Sequence, residues 1–186
     1  MLATLYRLQG WRADDLPAPP RRAVVIGAPH TSNWDFVNFI GLITELGLTP
    51  RFMGKHTLFR GFLRRFMFEM GGVPVVRGEK HDYVAQMVEA FAAEPDDFLL
   101  VIAPEGTRRG VPRWRTGFYQ IAMAAGVPLV CGYLDYPRRR GGLGMSFMPT
   151  GDYRADMAHI AAFYADKVPR HPRPGLGTLE WIVGRD

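Results

Sequence analysis

Apolar residues fall along this chain in short blocks that alternate between two periods. Residues 23–27 (Ala-Val-Val-Ile-Gly) form an apolar run of strand length, and residues 34–46 repeat apolar positions at helical spacing. The alternation continues with a strand at 51–53, a helix at 57–70, a strand at 73–76, a helix at 81–93 and a strand at 98–103. It closes with a helix at 117–125, a strand at 127–134, an edge strand at 145–148 and a helix at 153–167 stopped by Pro169. Strand and helix alternating at this rhythm predict one α/β domain, with a largely parallel mixed sheet flanked by helices. Pro17, Pro19 and Pro20 set a short amphipathic N-terminal segment, residues 1–20, apart from a main domain over 21–186.

Three of the predicted strands run straight into polar clusters. The first ends at Pro29-His30-Thr31-Ser32-Asn33-Trp34-Asp35, the second at Arg77, and the third at Pro104-Glu105-Gly106-Thr107-Arg108-Arg109. Ligands of open α/β sheets sit outside the carboxyl ends of the strands. If these strands are parallel neighbours, the three clusters face one crevice.

Composition narrows the field. The 186 residues suffice for one domain, and 22% charged with 47% hydrophobic residues is the balance of a folded globular chain. No apolar run reaches the roughly 18 residues of a spanning helix, and residues 1–9 are too short for a signal-peptide core. The chain is therefore expected in the cytosol or on the cytosolic face of a membrane. With 23 Lys+Arg against 18 Asp+Glu the net charge is +5, and only Lys55, Lys80 and Lys167 are lysines. The arginine bias fits either a GC-rich genome or phosphate recognition, since the guanidinium fork binds phosphate bidentately. Cys131 is the single cysteine. It excludes an internal disulfide and a multi-cysteine zinc site, and its apolar run reads as a buried structural position.

His30 and Asp35 are five residues apart, which on a regular helix places them on different faces. They meet only if His30 lies in the turn before the helix and Asp35 in its first turn. Pro29 and the N-cap types Thr31, Ser32 and Asn33 supply that break. Alone, Asp35 reads as a capping-box carboxylate after Ser32 and His30 as a loop histidine. Together they suit a general base and the carboxylate that fixes its tautomer. No Gly-x-Ser-x-Gly elbow, nearby cysteine, zinc-binding His-Glu-x-x-His, Walker loop or Gly-x-Gly-x-x-Gly turn accompanies them. A base without a protein nucleophile implies that the substrate brings a hydroxyl or water. Gly141-Gly142-Leu143-Gly144 reads as a glycine-rich loop.

These residues resemble the glycerolipid acyltransferases that include lysophosphatidic-acid acyltransferase. That family's His-x4-Asp motif is matched by His30–Asp35. Its glycine–apolar–arginine motif resembles Gly71-Gly-Val-Pro-Val-Val-Arg77, and its Pro-Glu-Gly-Thr-Arg motif stands intact at Pro104–Arg108. Gly126-Val-Pro-Leu-Val130 resembles the fourth, apolar motif, and Trp114-Arg-Thr-Gly117 the aromatic–basic step after the third. Pro29 stands where the glycerolipid members commonly have asparagine, and the long hydrophobic N-terminal region of many members is missing, which together imply a short, divergent branch. The resemblance implies that His30 deprotonates an acceptor hydroxyl, which attacks an acyl thioester of coenzyme A or acyl carrier protein, with Asp35 orienting the imidazole. It assigns Arg77, Glu105, Gly106, Thr107 and Arg108 to the phosphate and glycerol part of a lysophospholipid. It implies no metal and no cofactor besides the acyl-CoA or acyl-ACP co-substrate. Arg77 and Arg108 also read as solvated surface charge, or as partners of Glu105.

Within 57–70, Leu58, Phe59, Phe62, Leu63, Phe66, Met67 and Met70 share one half of the predicted helix, with Arg60 and Arg64 on the other. This is the pattern of an interfacial helix, with Phe59, Phe62, Arg60 and Arg64 as membrane contacts, and equally that of an ordinary core helix. Leu2–Leu8 with Trp11 is a second interfacial candidate. Two rivals stand beside phospholipid acylation: the same site acting on a non-phosphate lipid, polyketide or pigment hydroxyl, and a basic nucleic-acid module. No nucleic-acid motif is present and the basic residues are scattered, so no nucleic-acid partner is expected.

Overall fold

The computed structural model describes residues 2–14, 17–75, 83–108 and 113–184. Helix α1 (Leu2–Leu8) and a two-residue strand β1 (Arg12–Ala13) lead into β2 (Arg22–Gly27) and α2 (Trp34–Glu45). Then come β3 (Arg51–Lys55), a 3-10 turn at His56–Phe59, α3 (Leu63–Glu69), β4 (Gly72–Val75), α4 (Tyr83–Ala93) and β5 (Phe98–Ile102). The chain continues through α5 (Gly117–Ala125), β6 (Leu129–Asp135), β7 (Arg140–Phe147), α6 (Tyr153–Tyr164) and α7 (Leu179–Val183).

The strands form one sheet in the order β1-β7-β6-β2-β5-β3-β4. Strands β2 to β6 are mutually parallel, and β7 joins β6 antiparallel with β1 parallel to β7 at the edge. The expected α/β architecture is therefore found. Strand β2 is central, and its unbroken apolar run follows from burial on both faces. Val24 and Ile26 pack with Leu100, Leu129, Phe118 and Met157 on the side of α4 to α7. Ala23 and Val25 pack with Leu99, Val130 and Leu143 on the other side. There α2 lies with α1 against it, Tyr6 and Trp11 being buried against Leu42.

Three expectations change. The run 57–70 is not one helix: the chain bends at Arg60, turns at Gly61 and Phe62, and only then starts α3. Phe59 consequently turns inward, 6% exposed in a cluster with Phe52 and Met67, and is not a surface contact. Trp11, 4% exposed, is likewise part of the interior. Finally, the glycine-rich stretch 141–144 is not a loop but part of β7, which lies inside the sheet with β1 outside it. A Cβ on Gly144 would fall 2.6 Å from the Phe163 ring of α6, so the glycine permits close packing of that helix.

Candidate active site

The first predicted cluster assembles at the carboxyl end of β2. A cis Ala28–Pro29 bond follows the strand, residues 28–32 are irregular, and α2 begins at Trp34. This break lets the five-residue spacing close, with His30 Nδ1 3.1 Å from Asp35 Oδ2. The same oxygen accepts from the backbone N–H groups of Thr31 and Ser32, each at 2.8 Å. Asp35 is thus both the helix-start acceptor and the histidine's partner. Its other oxygen accepts from the Tyr136 hydroxyl at 2.6 Å, and that hydroxyl accepts from Asn38 Nδ2 at 3.2 Å. Burial would raise the Asp35 pKa, but the hydrogen bonds from His30, Tyr136, Ser32 and Thr31 outweigh it and lower it. An ionised carboxylate on Nδ1 fixes the imidazole tautomer with Nδ1 as donor. Nε2 is then free to accept a proton.

The loop after β5 lies beside this pair. Gly106 has φ +64, and a Cβ there would come 3.1 Å from Arg115 Nε, so the turn is built for glycine. Glu105 is only 1% exposed. Its Oε1 accepts from the His30 backbone N–H at 2.5 Å, while Oε2 is buried with no hydrogen-bond partner among the described residues. Glu105 is thereby hydrogen-bonded to the histidine's main chain. Thr107 is half-buried and Arg108 exposed, on the same loop. Arg77 lies outside the described residues, so its expected place in the crevice has no structural description. Among the described residues no group of three His, Cys, Asp or Glu side chains is placed to hold a metal ion.

Burial raises Glu105 to about 7, against the bond from His30 N–H and the nearby Arg173, which lower it. Between its ordinary 4.5 and 7, the folded state holds a proton that the unfolded chain has released. Stability contributed by that proton is present below about 4.5 and declines as pH rises through 7. At about 1.36 kcal/mol per unit the loss is a few kcal/mol. Glu105→Gln keeps an acceptor for His30 N–H and has no proton to lose. Its melting temperature should fall less than wild type between pH 5 and pH 8; an equal fall in both would refute the assignment.

Sequence reasoning did not reach Tyr136, nor two arginines the structure brings nearby: Arg170, against the Trp34 and Tyr136 rings, and Arg173, close enough to Glu105 to lower its pKa. Tyr136 follows β6, so the strand-end argument applied to the other three strands would have found it. Arg170 and Arg173 come from the proline-rich segment after α6, where no sequence pattern points at the site. A cavity of about 170 Å³ adjoins the pair. His30, Asp35, Phe39, Phe52, Leu134 and Leu143 are among its walls, between the sheet and α2.

A mostly parallel sheet with a His–Asp pair at the end of its central strand, beside a Glu-Gly-Thr-Arg turn, defines a class. The family described as Acyltransferase matches residues 13–134, more than half of the 186. The chain belongs to the Acyltransferase family and is an acyltransferase. Among solved structures it is similar to the crystal structure of the 1-acyl-sn-glycerophosphate (LPA) acyltransferase PlsC from Thermotoga maritima. Identity is 16% and the TM-score 0.54, with 82% of this chain and 68% of that one covered. At this identity the likeness is one of fold. No curated protein sequence matches the chain.

Proposed function

We propose that this acyltransferase moves a fatty acyl group from an acyl thioester, acyl-CoA or acyl-ACP, to the hydroxyl of lysophosphatidic acid or another lysophospholipid. His30 Nε2 takes the proton of the acceptor hydroxyl as that oxygen attacks the thioester carbonyl. The tetrahedral intermediate collapses to an ester and a thiolate, and the proton passes from the imidazolium to the thiolate. Asp35 holds the ring and balances its charge. The observation that carries this reading is the part-buried Asp35–His30 contact at 3.1 Å, with no free thiol beside it among the described residues. Cys131 is buried, and burial pushes its thiol up to about 12. The Ser32 and Thr31 hydroxyls accept from the backbone N–H groups of Trp34 and His171. On this reading the attacking oxygen is the substrate's. Arg77, Glu105, Gly106, Thr107 and Arg108 are assigned to its phosphate and glycerol part by resemblance.

The apolar cavity beside His30 suits the acyl chain. Purified chain with acyl-CoA or acyl-ACP and lysophosphatidate should release free thiol. Leu143→Phe, which fills the cavity wall, should shift the preferred chain by two or more carbons toward shorter donors. No release with either donor would overturn the function; an unchanged chain profile would overturn the pocket.

Peripheral association with a membrane surface belongs to the same reading. No helix among the described residues is long and apolar enough to cross a membrane. Phe62 is 91% exposed and Phe66 and Phe68 are exposed beside Arg60 and Arg64, an apolar knob with basic neighbours. Co-sedimentation with anionic vesicles should drop several-fold in Phe62→Ser with Phe66→Ser; undiminished binding would reject this surface.

A further inference from the structure

The segment between α6 and α7 is tied to three loops of the site. The Val168 carbonyl accepts from the Tyr136 backbone N–H at 2.9 Å. The His171 N–H donates to Thr31 Oγ1 at 3.2 Å, and Arg173 Nη2 donates to the Arg108 carbonyl at 2.8 Å. Pro169, Pro172 and Pro174 restrict its backbone, which lowers the entropy cost of holding it there. It is a strap across the carboxyl ends of the strands, beyond the residues that match the family.

The strap carries an exposed cation to the mouth of the site. The Arg170 guanidinium carbon lies 5.5 Å from the Trp34 ring centroid and 5.8 Å from that of Tyr136. Trp34 adjoins Asp35 in sequence, and Tyr136 hydrogen-bonds it. The guanidinium is thus held by two rings, one from the residue next to Asp35 and one from a residue hydrogen-bonded to it. Contact with ring faces leaves N–H edges open, and among the described residues no carboxylate pairs with Arg170. A stacked guanidinium with open edges next to a reacting centre is suited to bidentate contact with a phosphate. On the same strap, Arg173 has a buried Nη1 with no partner among the described residues.

We propose that the strap of residues 168–174 completes the substrate site, and that Arg170 binds a phosphate group of the substrate at its mouth. This rests on the acyl-transfer reading above and adds to the motif arginines a cation that lies outside the matched motifs. The phosphate belongs either to the acceptor headgroup or to the donor, and the two are separable. For Arg170→Gln, the ratio of kcat/KM for lysophosphatidate to that for monoacylglycerol should fall at least tenfold if the acceptor's phosphate is bound. The ratio for acyl-CoA to acyl-pantetheine should fall by as much if the donor's is. Arg170→Lys, which keeps the charge without the fork, should fall between Gln and wild type. Independently of turnover, inorganic phosphate should bind Arg170→Gln at least tenfold more weakly in calorimetric titration, with an unchanged melting temperature in phosphate-free buffer confirming the fold. If neither ratio moves, or the titration is unchanged, the proposal is overturned. A wild-type chain that releases no thiol would overturn the acyl-transfer reading instead, and the phosphate titration would still decide for or against Arg170.

Discussion

His30→Ala should reduce thiol release from an acyl thioester by roughly 10²- to 10⁴-fold, the range a positioned general base contributes. The fold should survive the change. The side chain is 23% exposed and its one described hydrogen bond is to Asp35, so its removal opens no large interior cavity. No hydrogen-bonded neighbour among the described residues is placed to inherit the role. Besides Asp35, the titratable group hydrogen-bonded to His30 among the described residues is Glu105, but its oxygen already accepts the His30 backbone N–H and the residue is 1% exposed. That bond to the main chain persists in the alanine variant and keeps the carboxyl where it is. The loss should appear in kcat for every acceptor alike, because proton removal is common to all of them. Circular dichroism and melting should match wild type. A His30→Ala chain retaining more than a tenth of the wild-type rate would refute the base assignment.

The parts of this fold that sequence made visible are those whose signal is local. Strand β2 is apolar throughout because both of its faces are covered, and its run showed at once. The polar clusters announced the carboxyl ends of the strands, where the sheet itself supplies no side-chain burial. The His30–Asp35 spacing was legible too, since Pro29 and the capping residues rule out one continuous helix. What stayed hidden depends on distant partners. Gly144 lies in a strand because β7 pairs with β6 on either side of it, and it is glycine because the Phe163 ring needs the space. Phe59 is interior because the chain breaks before α3, although periodicity alone put it beside Phe62. The two readings of Asp35, helix-start acceptor and histidine partner, competed in the sequence yet coexist in the structure, because one oxygen serves both. Arg170 gave no signal at all: its position depends on three tertiary hydrogen bonds and two rings from other parts of the chain.

Asp35→Asn should lower kcat by about 10²-fold or more while leaving the acceptor KM within about threefold, and the carboxylate's surroundings explain both. Four donors converge on it: the His30 ring and the Thr31 and Ser32 N–H groups on Oδ2, and the Tyr136 hydroxyl on Oδ1. An amide offers one acceptor oxygen and two donor hydrogens. Its best placement keeps the oxygen on the three N–H donors and turns the NH₂ toward Tyr136. The ring geometry then survives, but the negative charge that stabilises the imidazolium is gone, in a site where burial makes that charge count. Tyr136→Phe retains the charge and removes one donor, so its effect on kcat should stay within tenfold. Stability should separate the variants as well. Because the folded pKa of Asp35 is depressed, its stabilisation is complete above the unfolded value near 3.8 and is lost as pH falls through the lower folded value. Wild type and Tyr136→Phe should therefore lose melting temperature on acidification more steeply than Asp35→Asn. An Asp35→Asn chain with wild-type kcat would show that the carboxylate serves only to start α2.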